Sequence, residues 1–453
     1  MIDDDLTTGS IKGHFRRLAL PAAIGMLFST LYNVVDTFYA GLFGTQAQAG
    51  LAVGFQAFFV LVSVGFGLGA AMSALVGNAK GRKDVADARH LAAQGISFAL
   101  FATVVLIFLS LLAGPALINV VSEPGAYRDA GQSYFNWLVL SLPGFIVAYG
   151  GNGILQARGD TVSMQRALIV AFFANIGLNP LLMYGIPGVV PGMGFNGIAL
   201  ATALSQTGVA IYLLTKIFGR AMMQDLAWRE FVPIPSKYSE IANQAFPASF
   251  ALLINFASGF VVQFALKAYG ATALAAYGIS LRVEQLFLLP AVGITIALVP
   301  IAAQNYGAGN HDRVRLAFKR CWTLGVIATC CAFPFLWFFG GFATSLFSSD
   351  PEVIRIGALF LKIEAIVLPL YVVLFSVNSL LQALKKAVWT MWIGIYRQGI
   401  GIAFFIWLLT AVFDFGLSGV RIGIALAVVT GLMLSLAVAA TVARQRIGGL
   451  APA

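Results

Sequence analysis

One carboxylate stands in the middle of a long apolar run, Leu31-Tyr32-Asn33-Val34-Val35-Asp36-Thr37-Phe38-Tyr39. An ionised carboxylate at the centre of a bilayer costs roughly 2.5–3.5 kcal/mol on insertion scales. Apolar surroundings penalise the charged form, so such a group can be neutral in one conformation and ionised in another. A carrier driven by protons needs that property. The competing reading is a carboxylate held permanently by hydrogen bonds to tie helices together.

Other polar residues inside apolar runs could surround Asp36. Asn175 and Asn179 are four apart and share a helix face. Thr202 and Asn152 lie in two further runs. Asp36, Asn152, Asn175, Asn179 and Thr202 are the expected ion-coupling set. Tyr32 and Tyr39 lie at i−4 and i+3 from Asp36, on roughly its face. A carboxylate with aromatic walls suits a lipophilic cation through charge attraction and cation–π contact. Asp36, Tyr32, Asn33 and Tyr39 are therefore the expected substrate contacts. Arg282, Glu284 and Arg397 are further charges inside apolar runs, joined by Lys362 and Glu364. Their signs nearly cancel, which suits structural ion pairs, with a second polar coupling site as the alternative. Three His and three Cys show no metal-ligand spacing, and no cofactor is expected. Sodium at Asp36 is the one metal alternative.

Helices inside a membrane must position these groups. The chain of 453 residues is 59% hydrophobic and 10% charged. A soluble fold of this length could not hide that much apolar surface, so lipid is the expected solvent. Runs long enough to cross a core of roughly 30 Å predict twelve spans. They fall at about 17–43, 48–77, 91–113, 132–157, 163–186 and 194–217, then 241–267, 273–304, 317–340, 357–384, 388–412 and 420–443. The period-2 pattern of a barrel is absent. The expected class is an all-α membrane protein with two parallel-repeat six-helix bundles. The net charge of +10 does not imply a nucleic-acid partner. Most of the basic residues gather at the termini and in loops after even-numbered spans, among them Arg16-Arg17, Arg82-Lys83, Arg220 and Lys385-Lys386. Loops after odd-numbered spans are neutral or acidic, as at Glu123, Asp350 and Glu352. This positive-inside pattern predicts cytoplasmic termini in a multi-pass inner-membrane protein. The Asp3-Asp4-Asp5 start is not a basic leader, so no cleavable signal is expected.

The two halves repeat at an offset of 226 residues. Gly197-Ile198-Ala199-Leu200-Ala201 recurs as Gly423-Ile424-Ala425-Leu426-Ala427, and Pro21 and Pro143 recur as Pro247 and Pro369. A membrane chain built from two like halves is most often a transporter with its site at their seam. The expected division is an N-terminal lobe at 1–217, a connector at 218–240 and a C-terminal lobe at 241–453. The connector reads as an interfacial amphipathic segment, with Arg220, Asp225, Arg229, Glu230 and Lys237 among Trp228 and Phe231. Two loops, at 77–83 and 303–309, read as Gly-containing cytoplasmic turns feeding short basic helices at 85–89 and 311–315. The matched prolines read as kinks, for fixed shape or for hinging. Polar positions present in one copy only are the better functional candidates. Asp36 stands opposite Val262, Asn175 and Asn179 opposite Gly401 and Phe405, and Thr202 opposite Val428.

At these residues the chain resembles the multidrug and toxic compound extrusion (MATE) transporters. The matches are Pro21 with Asn33-Val34-Val35-Asp36-Thr37, Asn152-Gly153 through Gln156-Ala157-Arg158-Gly159-Asp160-Thr161, and Asn175 through Asn179-Pro180-Leu181-Leu182. Gly194 with Gly197–Thr202 and Arg282-Val283-Glu284-Gln285 with Pro290-Ala291 continue the series, which ends at Gln304–Gly309. The resemblance covers essentially the whole chain, and the carboxylate in the first span is similar to the DinF-like branch. It implies export of cationic or amphiphilic drugs against an inward H⁺ or Na⁺ gradient, by a V-shaped pair of bundles. It also implies that Asp36 is the protonation site and that Asn152, Asn175 and Thr202 line its cavity. Relatives often carry a second carboxylate where this chain has Asn179, which favours H⁺ over Na⁺ as the coupling ion. The expected partners are small lipophilic cations or amphiphiles and the lipid bilayer, with the protein acting as a monomer.

Three other functions compete. A lipid-linked oligosaccharide flippase needs a cationic cavity; the single mid-span Asp of the N-terminal half argues against one, while Arg282 and Arg397 argue for it. A major-facilitator carrier normally has an Asp-Arg pair before Gly-Arg-Lys, and here Asn78-Ala79-Lys80 precedes Gly81-Arg82-Lys83. An intramembrane enzyme needs an acid, base or nucleophile set, and His14, His90 and His311 have no such company.

Overall fold

The computed structural model describes residues 5–189, 191–219 and 227–450. Asp3 and Asp4 of the acidic start, and Arg220 and Asp225 of the connector, lie outside the described residues. Among the described residues the regular structure is helical, and twelve helices are long and apolar enough to cross a membrane. They are α1 (Ile11–Gly41), α2 (Thr45–Gly81), α3 (Val85–Val120), α4 (Ala126–Ala157), α5 (Val162–Tyr184) and α6 (Asn196–Phe218), then α7 (Pro235–Lys267), α8 (Gly270–Gly307), α9 (His311–Ser345), α10 (Pro351–Ala383), α11 (Val388–Val412) and α12 (Gly416–Ile447).

Most helices run several residues past the expected spans, because polar end turns continue the helix outside the apolar core. The basic segments expected as separate short helices are the first turns of α3 and α9. At α3 the reason is a cap: the Asp87 backbone N–H donates to the Asp84 carboxylate at 2.9 Å. The matched prolines behave differently. Pro143 follows a 3₁₀ turn at Val139–Ser141 that interrupts α4, whereas Pro369 sits inside one continuous helix.

The repeated Gly-Ile-Ala-Leu-Ala motif has a packing cause. A Cβ on Gly197 would lie 2.7 Å from the Leu182 backbone, and one on Gly423 would lie 2.9 Å from the Ile406 backbone. Only glycine lets α6 approach α5, and α12 approach α11, this closely.

The described residues pack as two units, those within 24–249 and those within 5–23 with 250–450. The division therefore falls inside α1 and inside α7, three residues after Pro21 and Pro247. These two points are again 226 residues apart. The segments leading into these helices are held by matching means. In the second unit Leu6 is fully buried. Its N–H donates to Gln304 Oε1 at 2.9 Å, and its carbonyl accepts from Asn305 Nδ2 at 3.0 Å. In the first unit Gln94 Nε2 donates to the carbonyls of Glu230 and Val232 at 2.7 and 2.8 Å. Val232 is the repeat partner of Leu6. Gln304 and Asn305, expected in a loop, belong to the last turns of α8, and from there they anchor the chain start.

Candidate functional site

Three helices of the first unit build the site around Asp36. α1 carries Asp36 inward and leaves it only 4% exposed. α5 presents Asn175 and Asn179 on one face, both fully buried, and α6 presents Thr202. Asn179 Nδ2 donates to Asp36 Oδ1 at 3.0 Å, and Thr202 Oγ1 donates to Asp36 Oδ2 at 2.9 Å. Asn179 Nδ2 also donates to Asn175 Oδ1 at 3.0 Å. Both carboxylate oxygens therefore accept a hydrogen bond from a neutral donor. A negative charge can be held here without a counter-cation, which suits a group that alternates between ionised and protonated forms.

The network also has open positions. Tyr32 Oη, Asn175 Nδ2, Asn179 Oδ1 and Ser205 Oγ are buried and have no hydrogen-bond partner among the described residues. Tyr32 is 5% exposed, and its hydroxyl has Asn175, Thr202 and Ser205 as polar neighbours. Buried polar atoms without partners are costly, so a cluster of them beside a carboxylate marks a place built to take a guest. A water, a hydronium ion or a sodium ion would find oxygens from Asp36, Asn179, Thr202 and Tyr32. Among the described residues no group of three or more His, Cys, Asp or Glu is arranged to hold a metal ion.

Four of the five expected coupling residues share this network. Among the described residues Asn152 makes no hydrogen bond to it, and its buried Oδ1 has no hydrogen-bond partner. Its repeat partner Asn378 is in the same condition, so the pair repeats in environment as well as in identity. Among the expected substrate contacts, Tyr32 faces the cluster and two others do not. Asn33 is exposed and donates to its own helix at Ser29 O, 3.1 Å away. Tyr39 donates to Ile176 O at 3.0 Å and ties α1 to α5. Ser205 was not among the expected residues, although it lies three positions from Thr202 and so on the same face of α6.

In the second unit the expected polar set changes membership. Arg282 is exposed and makes no ion pair among the described residues. Arg397 is 5% exposed, and its Cζ lies 5.5 Å from the centre of the Tyr371 ring. Glu284 has Arg397 as a charged neighbour, and Glu364 has Glu284. Glu364 takes the place expected of Arg282. Lys362 turns away and lies over the Trp337 ring at 5.9 Å.

Two matched sets of six spanning helices, with a buried carboxylate network on three helices of one set, define a membrane transporter rather than an enzyme. The MatE family model matches residues 21–181 and again residues 247–407, two stretches that start 226 residues apart. The chain belongs to this family of transporters. It is 27% identical over 422 residues to a probable multidrug resistance protein NorM of Thermotoga maritima, covering 91% of this chain and 89% of that one. It is 27% identical over 366 residues to an FAD transporter of Shewanella oneidensis, covering 78% and 77%. In fold it is similar to a MOP superfamily transporter from Pyrococcus furiosus, with a TM-score of 0.89 at 23% identity over 98% of each chain. A MATE crystal structure in the straight conformation gives the same TM-score at 22% identity, again over 98% of each chain.

Proposed function

We propose that the protein is a secondary active antiporter that exports lipophilic cations or amphiphilic drugs across the inner membrane in exchange for H⁺, with both termini in the cytoplasm. Asp36 is the coupling group, and Asn175, Asn179 and Thr202 set its environment. The carrying observation is the pair of neutral donors on the two oxygens of Asp36. With Asn179 where relatives often have a carboxylate, one proton neutralises the cluster, whereas a sodium ion would find a single charged ligand. The lobes are assigned to residues 1–217 and 241–453 with a connector between them, and the protein acts as a monomer.

The test uses purified protein in liposomes with dye efflux driven separately by a pH gradient and by a sodium gradient. The expected result is efflux under the pH gradient in sodium-free buffer, and its loss in Asp36→Asn with the protein still folded. A strict sodium requirement would reverse the choice of ion. Unchanged drug-linked proton flux in Asp36→Asn would remove Asp36 from the mechanism.

A second reading of the cargo has its own observation, the similarity to the FAD transporter of Shewanella oneidensis. FAD loaded into the same liposomes separates the two cargo classes.

A further inference from the structure

In the first unit α3 exposes a stripe of apolar side chains, Leu100, Phe101, Val104, Phe108, Leu111 and Leu112. On a spanning helix such a stripe meets lipid. Beside it, between α3 and α4, lies a groove of about 470 Å³. Sites for small molecules span roughly 300–1,000 Å³. Leu111, Pro115 and Phe135 give the groove apolar walls, and Gln132 and Asn136 add two amides. It reaches Val139, where the 3₁₀ turn of α4 begins. Gln132 Nε2 donates to Asn136 Oδ1 at 2.8 Å. The Asn136 amide keeps both of its own N–H donors to offer.

The repeat shows that the shared scaffold does not require this opening. At the matching positions the second unit has Trp337 for Leu111, Gly341 for Pro115, Ala358 for Gln132 and Lys362 for Asn136. A Cβ on Gly341 would lie 3.9 Å from Ala358 Cβ and 3.9 Å from Ile354 Cγ2, so α9 and α10 meet there in ordinary contact. Trp337 is half-buried with Lys362 Nζ over its ring, whereas Leu111 is 73% exposed. The second unit closes the place with a glycine contact and a tryptophan. The first puts a proline ring and a short side chain there instead.

The order of polarity along the groove points to its occupant. Arg128, Gln132 and Asn136 follow one another at four-residue steps on α4 and share a face. Each step advances about 6 Å along the helix axis. Arg128 Nε donates to Ser122 Oγ at 3.2 Å, which holds the guanidinium at the α3–α4 connection. From the connection inward the groove therefore offers a cation, then two amides, then apolar walls. A phospholipid presents a phosphate, ester carbonyls and an acyl chain in the same order. Amides in apolar surroundings are costly unless bonded, and ester carbonyls accept from Asn136. The exposed carboxylates of Glu123 and Asp129 flank Arg128 in the chain and suit an ammonium group. We infer that the groove binds one phospholipid with a phosphoethanolamine headgroup, its phosphate at Arg128, its ester carbonyls at Gln132 and Asn136, and one acyl chain between Leu111 and Phe135.

This site lies outside the Asp36 network and does not depend on the proposed antiport. The test is native mass spectrometry of the full chain, exchanged in detergent against phosphatidylethanolamine, phosphatidylglycerol or glycerophosphoethanolamine, a headgroup without chains. The expected result is a retained single-lipid adduct with phosphatidylethanolamine, a weaker one with phosphatidylglycerol and none with the headgroup alone. Leu111→Trp with Asn136→Lys copies the second unit and should abolish the adduct. Gln132→Leu with Asn136→Leu keeps the groove and removes its amides. It should weaken the adduct, and it serves if the first double variant fails to fold. Asp36→Asn should retain the adduct, so loss of efflux and loss of lipid are separable. An adduct that survives both double variants is annular lipid only and overturns the inference. A stronger adduct with phosphatidylglycerol, or one with the headgroup alone, overturns it as well.

Discussion

The two units use one scaffold and place polarity at different positions on it. In the first, Asp36, Asn175, Asn179 and Thr202 stand where the second has Val262, Gly401, Phe405 and Val428. In the second, Glu284, Glu364 and Arg397 stand where the first has Phe58, Leu138 and Ala171. Each cluster occupies positions that are apolar in the other copy, so neither is required for the helices to pack. The clusters also differ in kind. Asp36 is served on both oxygens by neutral donors. The second cluster has Arg397 as a charged neighbour of Glu284 and Glu284 as one of Glu364, and among the described residues Glu364 Oε2 and Arg397 Nε have no hydrogen-bond partner. One site sets a lone carboxylate between neutral donors, and the other brings buried groups of opposite charge into one neighbourhood.

The largest expected effect comes from forcing one polarity onto the other unit. Val262 is 2% exposed, and the positions matching the donors of Asp36 are Gly401, Phe405 and Val428. Val262→Asp should therefore destabilise the protein by about 3–5 kcal/mol, the range for an uncompensated buried charge. Asp36→Val should cost less, since it strands only neutral donors. Thermal unfolding in detergent measures both, and equal losses would break the comparison. Thr202→Val comes next, because it copies the second unit by removing one donor to the carboxylate. A hydrogen bond to a charged group contributes about 1.5–3 kcal/mol. The ionised form loses that support, so the pH profile of transport should move to more alkaline values. An unmoved profile would show that Thr202 does not serve the coupling group. The smallest effect is expected from Tyr39→Phe, which deletes the bond to Ile176 O. A stability loss of about 1 kcal/mol with unchanged ion dependence would confirm Tyr39 as a brace. A change in ion dependence would return it to the site.

Much of the fold was legible in the residue pattern. Twelve apolar runs mark twelve helices, because backbone polar groups in lipid must be satisfied within the segment. Helix ends were less legible, since polar end turns such as the one capped by Asp84 have no hydropathy signal. The first site was legible through asymmetry, as Asp36, Asn175, Asn179 and Thr202 are polar in one copy only. The same reasoning admitted Asn33 and Tyr39, which are near Asp36 in sequence and point elsewhere.

The residue order alone determined the spans, the 226-residue repeat, the family and the carboxylate inside the first apolar run. These follow from local properties: the length of an apolar run, the spacing of a motif, the charge of a side chain. The tertiary structure decided which charges meet. Glu284, Glu364 and Arg397 lie on three helices, and spacing along one helix shows only which face a residue shares. Which neighbour covers that face is set by packing, through close approaches such as those at Gly197, Gly423 and Gly431. That packing placed Glu364 in the second cluster and left Arg282 outside it.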